Sequence, residues 1–117
     1  MLTVYQYPAC STCKKALKWL DAHQIEYKPV HIVEKPPTKK ALAQLLKETG
    51  LPVRKLFNTS GQLYREGGYK AKLETMTESQ ALDELAAHGK LIKRPLIVGD
   101  GAHLVGFNEA EYKAALA

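Results

Sequence analysis

The spacing of apolar residues changes along the chain, and each change marks an element. Leu2-Thr3-Val4-Tyr5-Gln6-Tyr7 is rich in β-branched and aromatic residues and predicts a buried strand. Beyond Lys14-Lys15, Ala16, Leu17, Trp19 and Leu20 recur at helical spacing, which predicts a helix ending near Ala22-His23. Ile25 to Val33 reads as a second strand with Tyr27, Val30 and Ile32 as its apolar members. Pro29 lacks an N–H to donate to a ladder, so this strand is expected at an edge or at a bulge.

Glu34-Lys35-Pro36-Pro37 breaks the pattern, and Thr38 can cap a helix whose apolar face is Leu42, Leu45 and Leu46. Gly50 is its expected stop. Leu51 to Met76 is irregular. It predicts a short helix ending near Leu56-Phe57, turns at Asn58–Gly61 and Gly67-Gly68, and another helical turn over Ala71–Leu73. Thr77 and Gln80 have the spacing of a capping box, ahead of a stripe made by Ala81, Leu82, Leu85 and Ala86, with Gly89 as terminator. Residues 38–89 therefore read as a small helical insert, too short for a separate core, within one domain spanning 1–117.

Leu96-Ile97-Val98 and His103-Leu104-Val105-Gly106 flank the turn Gly99-Asp100-Gly101-Ala102 and predict a hairpin. Asn108, with Glu111 three residues on, caps a last helix reaching Leu116. A βαβ opening, a later hairpin and a closing helix are the order of an α/β protein with a thioredoxin-like mixed sheet.

Charge is uneven. Residues 1–58 carry 10 Lys/Arg and 4 Asp/Glu, whereas residues 59–117 carry 7 and 8. The basic half can attract anions or an acidic partner. It is not the signature of a nucleic-acid site, because 14 of the 17 basic residues are Lys and no recognition motif accompanies them. No apolar run reaches membrane-spanning length and no signal peptide opens the chain, so the cytoplasm is the expected compartment.

The only two cysteines, Cys10 and Cys13, lie between the first strand and the first helix. A sulfur placed there meets the free N–H groups and positive end of the helix, with Lys14 and Lys15 adjacent, which favours thiolate over thiol. Cys10, in the turn, is the expected nucleophile; Cys13 lies in or just before the first helical turn. Zinc would need further ligands, and His23, His31, His88 and His103 are scattered over separate elements, so no metal site is expected. An inert buried pair is the other alternative. In a reducing compartment, a lone CxxC at this address favours redox chemistry.

Thioredoxin-fold proteins bring a proline, usually cis, opposite the redox cysteine, and Pro95 at the entrance of Leu96–Val98 is positioned for that part. Tyr7-Pro8-Ala9-Cys10-Ser11-Thr12-Cys13-Lys14-Lys15-Ala16, Arg94-Pro95-Leu96-Ile97-Val98 and Val105-Gly106-Phe107-Asn108-Glu109 together resemble the arsenate reductase (ArsC) family, in the branch that includes Spx/MgsR-type regulators. The resemblance spans essentially the whole chain. It implies Cys10 as attacking thiol and Arg94 as clamp for a tetrahedral oxyanion. Family reductases carry three such arginines, and the other two positions hold Asn58 and Phe107 here, with Arg54 and Arg65 nearby in sequence. Single-cysteine members have no thiol at the place of Cys13, which here can close a disulfide with Cys10. The arginine with which the regulators dock to RNA polymerase falls at Ser60.

Three functions follow from the resemblance. The first is a cytoplasmic thiol oxidoreductase acting on a small oxyanion or disulfide, with weak arsenate activity. It needs no cofactor beyond a thiol reductant such as glutathione with glutaredoxin, or thioredoxin. The second is a redox-sensing regulator that binds RNA polymerase. The third is a glutaredoxin-like reductase of mixed disulfides. A membrane or direct nucleic-acid partner is implied by none of them.

Overall fold

The computed structural model describes residues 1–117. Its strands are β1 (Leu2–Gln6), β2 (Tyr27–His31), β3 (Leu96–Gly99) and β4 (Ala102–Val105). Its α-helices are α1 (Ser11–Ala22), α2 (Lys39–Thr49), α3 (Gln62–Glu66), α4 (Tyr69–Thr75), α5 (Glu78–Ala87) and α6 (Glu109–Leu116). The chain divides into two compact units, one made of Met1–His31 with Arg94–Ala117, the other of Ile32–Lys93.

The first unit holds one mixed sheet in the order β2-β1-β3-β4. β1 runs parallel to β2, with Val4 opposite Pro29, and antiparallel to β3, with Tyr5 opposite Leu96. Pro29 thus occupies an edge strand, where its missing donor costs no central pairing. Leu2, Val4, Ile97 and Leu104 of the sheet pack with Ala16, Trp19 and Leu20 of α1 and Tyr112 of α6. Burying each large member of that cluster stabilises the unit by about 1.5–3 kcal/mol. The Asn108 side chain caps α6 by accepting the Glu111 N–H at 3.0 Å.

The second unit is wider than the insert expected over 38–89 and has buried side chains of its own, among them Leu42, Leu45, Phe57, Leu85 and Ile92. Thr38 caps α2 at 3.1 Å, and Gly50 ends it in the left-handed conformation at φ 71°. Thr77 and Gln80 form both bonds of the capping box on α5. Gly89 differs from expectation. α5 has already ended at Ala87, and Gly89 opens a 3-10 turn, Gly89–Leu91, because a Cβ there would run into the Ile32 carbonyl. The sequence pattern also missed a clasp: Phe57 bridges Ile92, the Asn58 N–H donates to the Leu91 carbonyl at 2.7 Å, and the Lys93 N–H donates to the Leu56 carbonyl at 2.7 Å.

Candidate active site

A cysteine fills the place at the head of α1 where Ser, Thr, Asp or Asn usually stands. Cys10 is the N-cap, extended at φ −90° and ψ 115°, and its carbonyl accepts the Lys14 N–H at 3.1 Å. Its Sγ accepts the Cys13 N–H at 3.2 Å. The Cys10 N–H donates to the Tyr7 carbonyl at 3.0 Å, which fixes the turn out of β1. A sulfur so held meets a backbone donor and the positive end of the helix. Lys14 and Lys15 are exposed on α1 and add charge through solvent.

The two thiols are placed differently. Cys10 is half-buried, whereas Cys13 is only 1% exposed, and both are free. Burial pushes the Cys13 thiol up to about 12, and its hydrogen bond and charge coupling to Cys10 push the same way. The Tyr7 backbone and the Arg94 charge oppose this. Cys13 is therefore held as a protonated thiol at neutral pH, behind the more accessible Cys10.

Arg94 and Pro95 reach the same place through the sheet. β3 pairs with β1 as far as Tyr5–Leu96, so the next residues outward, Pro95 and Arg94, come alongside Gln6 and Tyr7. The Arg94–Pro95 peptide bond is cis. The Arg94 guanidinium carbon lies 4.9 Å from the centroid of the Tyr7 ring, a cation–π contact that steers the fork. His31, at the end of β2, meets the Tyr7 ring edge-on at 5.4 Å between centroids. Neither Tyr7 nor His31 stood out in sequence as a site residue. The available signal was an aromatic three positions before Cys10, just where the strand gives way to the turn.

The Pro95 carbonyl accepts the Gly106 N–H at 2.8 Å, and the Gly106 carbonyl accepts the Tyr112 hydroxyl at 2.6 Å. Tyr112 is fully buried, and burial raises its phenol well above the usual range, so it remains a donor. Phe107 stacks edge-on against Tyr112 at 4.9 Å and belongs to the apolar cluster, so this position serves packing and carries no charge. Asn58, Ser60, Arg54 and Arg65 all belong to the Ile32–Lys93 unit. No group of three or more His, Cys, Asp or Glu side chains is arranged to hold a metal ion.

The description of the ArsC family matches residues 5–115, nearly the whole chain. This chain belongs to the ArsC family. The uncharacterized protein YusI of Bacillus subtilis is 47% identical over 112 residues, 96% of this chain and 95% of its own length. The regulatory protein MgsR of the same organism is 33% identical, covering 94% of this chain and 86% of MgsR. Among solved structures, an ArsC-family-related protein of Bacteroides fragilis superposes with a TM-score of 0.93 at 47% identity over 97% of this chain and 96% of that one. A Streptococcus mutans protein described as a possible arsenate reductase superposes with a TM-score of 0.89 at 41% identity, over 97% of each chain. These ArsC relatives share the thioredoxin-like α/β fold. MgsR is named as a regulator and the Streptococcus mutans protein as a possible reductase, whereas the other two carry no functional name.

Proposed function

We propose that the protein is a thiol oxidoreductase of the ArsC type, working in the cytoplasm, in which Cys10 attacks and Cys13 resolves. The observation that carries this reading is the unequal pair at the head of α1: a capping, half-buried Cys10 sulfur in front of a buried, protonated Cys13. Arg94, steered by Tyr7, supplies the charged fork for an oxyanion.

With arsenate, the Cys10 thiolate forms a bond to arsenic while one oxygen leaves as water, its protons drawn from solvent. Cys13 then loses its proton and attacks the Cys10 sulfur. The sulfur–arsenic bond breaks, its electron pair stays on arsenic, and arsenite leaves a Cys10–Cys13 disulfide behind. Two electrons have passed from the thiols to arsenic, and an external thiol such as glutathione with glutaredoxin, or thioredoxin, restores them. A mixed-disulfide substrate follows the same path with a thiolate as leaving group.

The sequence of attacks has a built-in order. Two of the influences that hold the proton on Cys13 come from the Cys10 sulfur, as acceptor and as charge. Once that sulfur is bonded to a neutral disulfide partner, its charge is lost and Cys13 becomes easier to ionise; an arsenate adduct keeps negative charge beside Cys13. With a disulfide substrate, the resolving thiol is thus released by the step it must follow.

The test is consumption of reductant by the purified protein, with arsenate and with a small disulfide such as hydroxyethyl disulfide, in the presence of glutathione and glutaredoxin or of thioredoxin. Repeated turnover lost in Cys10→Ser, and no Cys10–Cys13 disulfide with turnover made dependent on glutathione in Cys13→Ser, is the expected result. The likeness to MgsR, named as a regulatory protein, favours a second reading, a redox-sensing regulator; the family resemblance implies RNA polymerase as its partner. Such a protein oxidises once per molecule and consumes no further reductant, and oxidation changes its affinity for the polymerase.

A further inference from the structure

A cleft in the Ile32–Lys93 unit takes no part in the chemistry described above, and its lining includes neither Cys10, Cys13 nor Arg94. It has a volume of about 660 Å³, the size of a small-molecule site. The 3-10 turn Val53–Leu56, α3 and α4 form its walls. Gly68, between α3 and α4, adopts φ 67° and lines the cleft, where it leaves the space in front of its backbone open.

The lining is strongly one-signed. Arg54, Lys55, Arg65 and Lys70 all line it, against a single acid, Glu74. The ion pairs of Met1 with Asp100 and of Lys39 with Asp83 involve none of these four cations, all of which are exposed to solvent. Four positive charges gathered around one concavity repel one another, and an anion in it relieves that repulsion. Two of them are guanidinium forks, whose geometry matches phosphate oxygens two at a time.

The apolar part of the lining is Tyr64 and Leu73. Tyr64 is half-buried and backed by other rings, Tyr69 at 6.3 Å and Phe57 at 6.2 Å between centroids. A ring held from behind in this way is a platform on which a flat ligand ring can stack. Glu74 disfavours negative charge beside it, so the hydroxyl-bearing, uncharged part of a ligand belongs there.

We propose that this cleft is a binding site for a phosphorylated small molecule with a planar ring, of the nucleoside di- or triphosphate class: phosphates on Arg54, Arg65 and the two lysines, the ring on Tyr64. This does not depend on the thiol chemistry, and its test does not read it.

The experiment is isothermal titration of the full-length protein at low salt with ATP, tripolyphosphate, adenosine and a short poly-glutamate peptide. Backbone amide NMR shifts on the same samples locate the contact. Saturable one-site binding of ATP is expected, with shifts concentrated over residues 53–74. Arg54→Ala and Arg65→Ala should each weaken it tenfold or more, since each removes a hydrogen bond to a charged group. Tyr64→Leu should weaken ATP severalfold while leaving tripolyphosphate unchanged. All these side chains are exposed or half-buried, and circular dichroism confirms that each variant is folded. No ATP binding, or ATP binding indifferent to both arginines, overturns the site. Tripolyphosphate binding as tightly as ATP, or poly-glutamate competing at equal concentration, overturns the ligand class and leaves only a basic surface.

Discussion

Alkylation at neutral pH should separate the two cysteines by a large and calculable factor. With the Cys13 thiol near 12, only about one molecule in 10⁵ carries that thiolate at pH 7, against roughly 3% for an ordinary thiol. A more basic thiolate is a better nucleophile, which by a Brønsted slope of 0.4–0.5 returns roughly 30-fold of that loss. The net expectation is a Cys13 about 10² slower than an exposed model thiol, before its burial slows access further. Cys10, half-buried at the helix head, should take the label first. The assay is a time course with iodoacetamide, read at each cysteine by peptide mass spectrometry, between pH 6 and 10. Cys13 labelling should climb about tenfold per pH unit throughout that range. In Cys10→Ser the sulfur that helps hold the Cys13 proton is gone, so Cys13 should label faster than in the parent, yet still slower than a free thiol because burial is the leading cause. Equal labelling of the two cysteines at pH 7, or a slower Cys13 in Cys10→Ser, would refute the division of roles.

Arsenate turnover should be weak, because Asn58 and Phe107 stand where the resemblance places two further clamp arginines. Arg94→Ala should lower whatever remains by tenfold or more in a coupled NADPH assay, for the loss of one charge-assisted contact of about 1.5–3 kcal/mol. Alkaline stability carries a sign fixed by Cys13. Its folded value is raised, so its contribution is fully present below the ordinary thiol range and is lost as pH rises toward about 12. Urea midpoints should therefore fall by the equivalent of roughly 1.4 kcal/mol per pH unit in that window, and less steeply in Cys13→Ala. Tyr112→Phe deletes the donor to the buried Gly106 carbonyl and should cost about 1–3 kcal/mol by chemical denaturation. Gly89→Ala should destabilise more than an ordinary surface change of about 0.5 kcal/mol, since the new methyl meets the Ile32 backbone; an unchanged midpoint would show that the turn yields.

Much of the fold was legible because local signals and tertiary demands agree. Thr38, Thr77 and Asn108 announce helix starts, and each accepts the backbone N–H three residues on. Pro29 announces an edge strand, and β2 is one. The Cys10 address was legible for the same reason: a strand pattern followed by a helix pattern leaves the turn between them at the helix head. Contacts between residues distant in sequence were not legible. Nothing near Tyr7 says that Arg94 will lie over its ring, because the β1–β3 register brings them together across most of the chain. Gly89 misled for a related reason. A glycine after a helix reads as a stop, but here the small residue is required by the backbone of Ile32, far away in sequence. The Phe57–Ile92 clasp is a pair of segments too short to carry any periodicity.

Phe107 puts an apolar ring where the resemblance places a charge. An arginine there would add a fork for an oxyanion, and the resemblance places one there in reductases. Instead the ring packs edge-on against Tyr112, and Tyr112 donates to Gly106, which donates to Pro95, the neighbour of Arg94. On the proposed reading, the apolar ring therefore braces the turn that presents Arg94. An aromatic pair is worth about 0.5–1.5 kcal/mol beyond its burial, comparable with the lower end of a charged contact. On the proposed reading, the exchange stiffens the presentation of Arg94 and gives up grip on a multiply charged oxyanion. A disulfide substrate has no such charge to hold and loses little by the change. On that argument, mixed disulfides should be turned over better than arsenate, and Phe107→Arg should move the ratio toward arsenate while lowering the unfolding midpoint. A variant that gained neither arsenate activity nor lost stability would show that position 107 serves neither purpose.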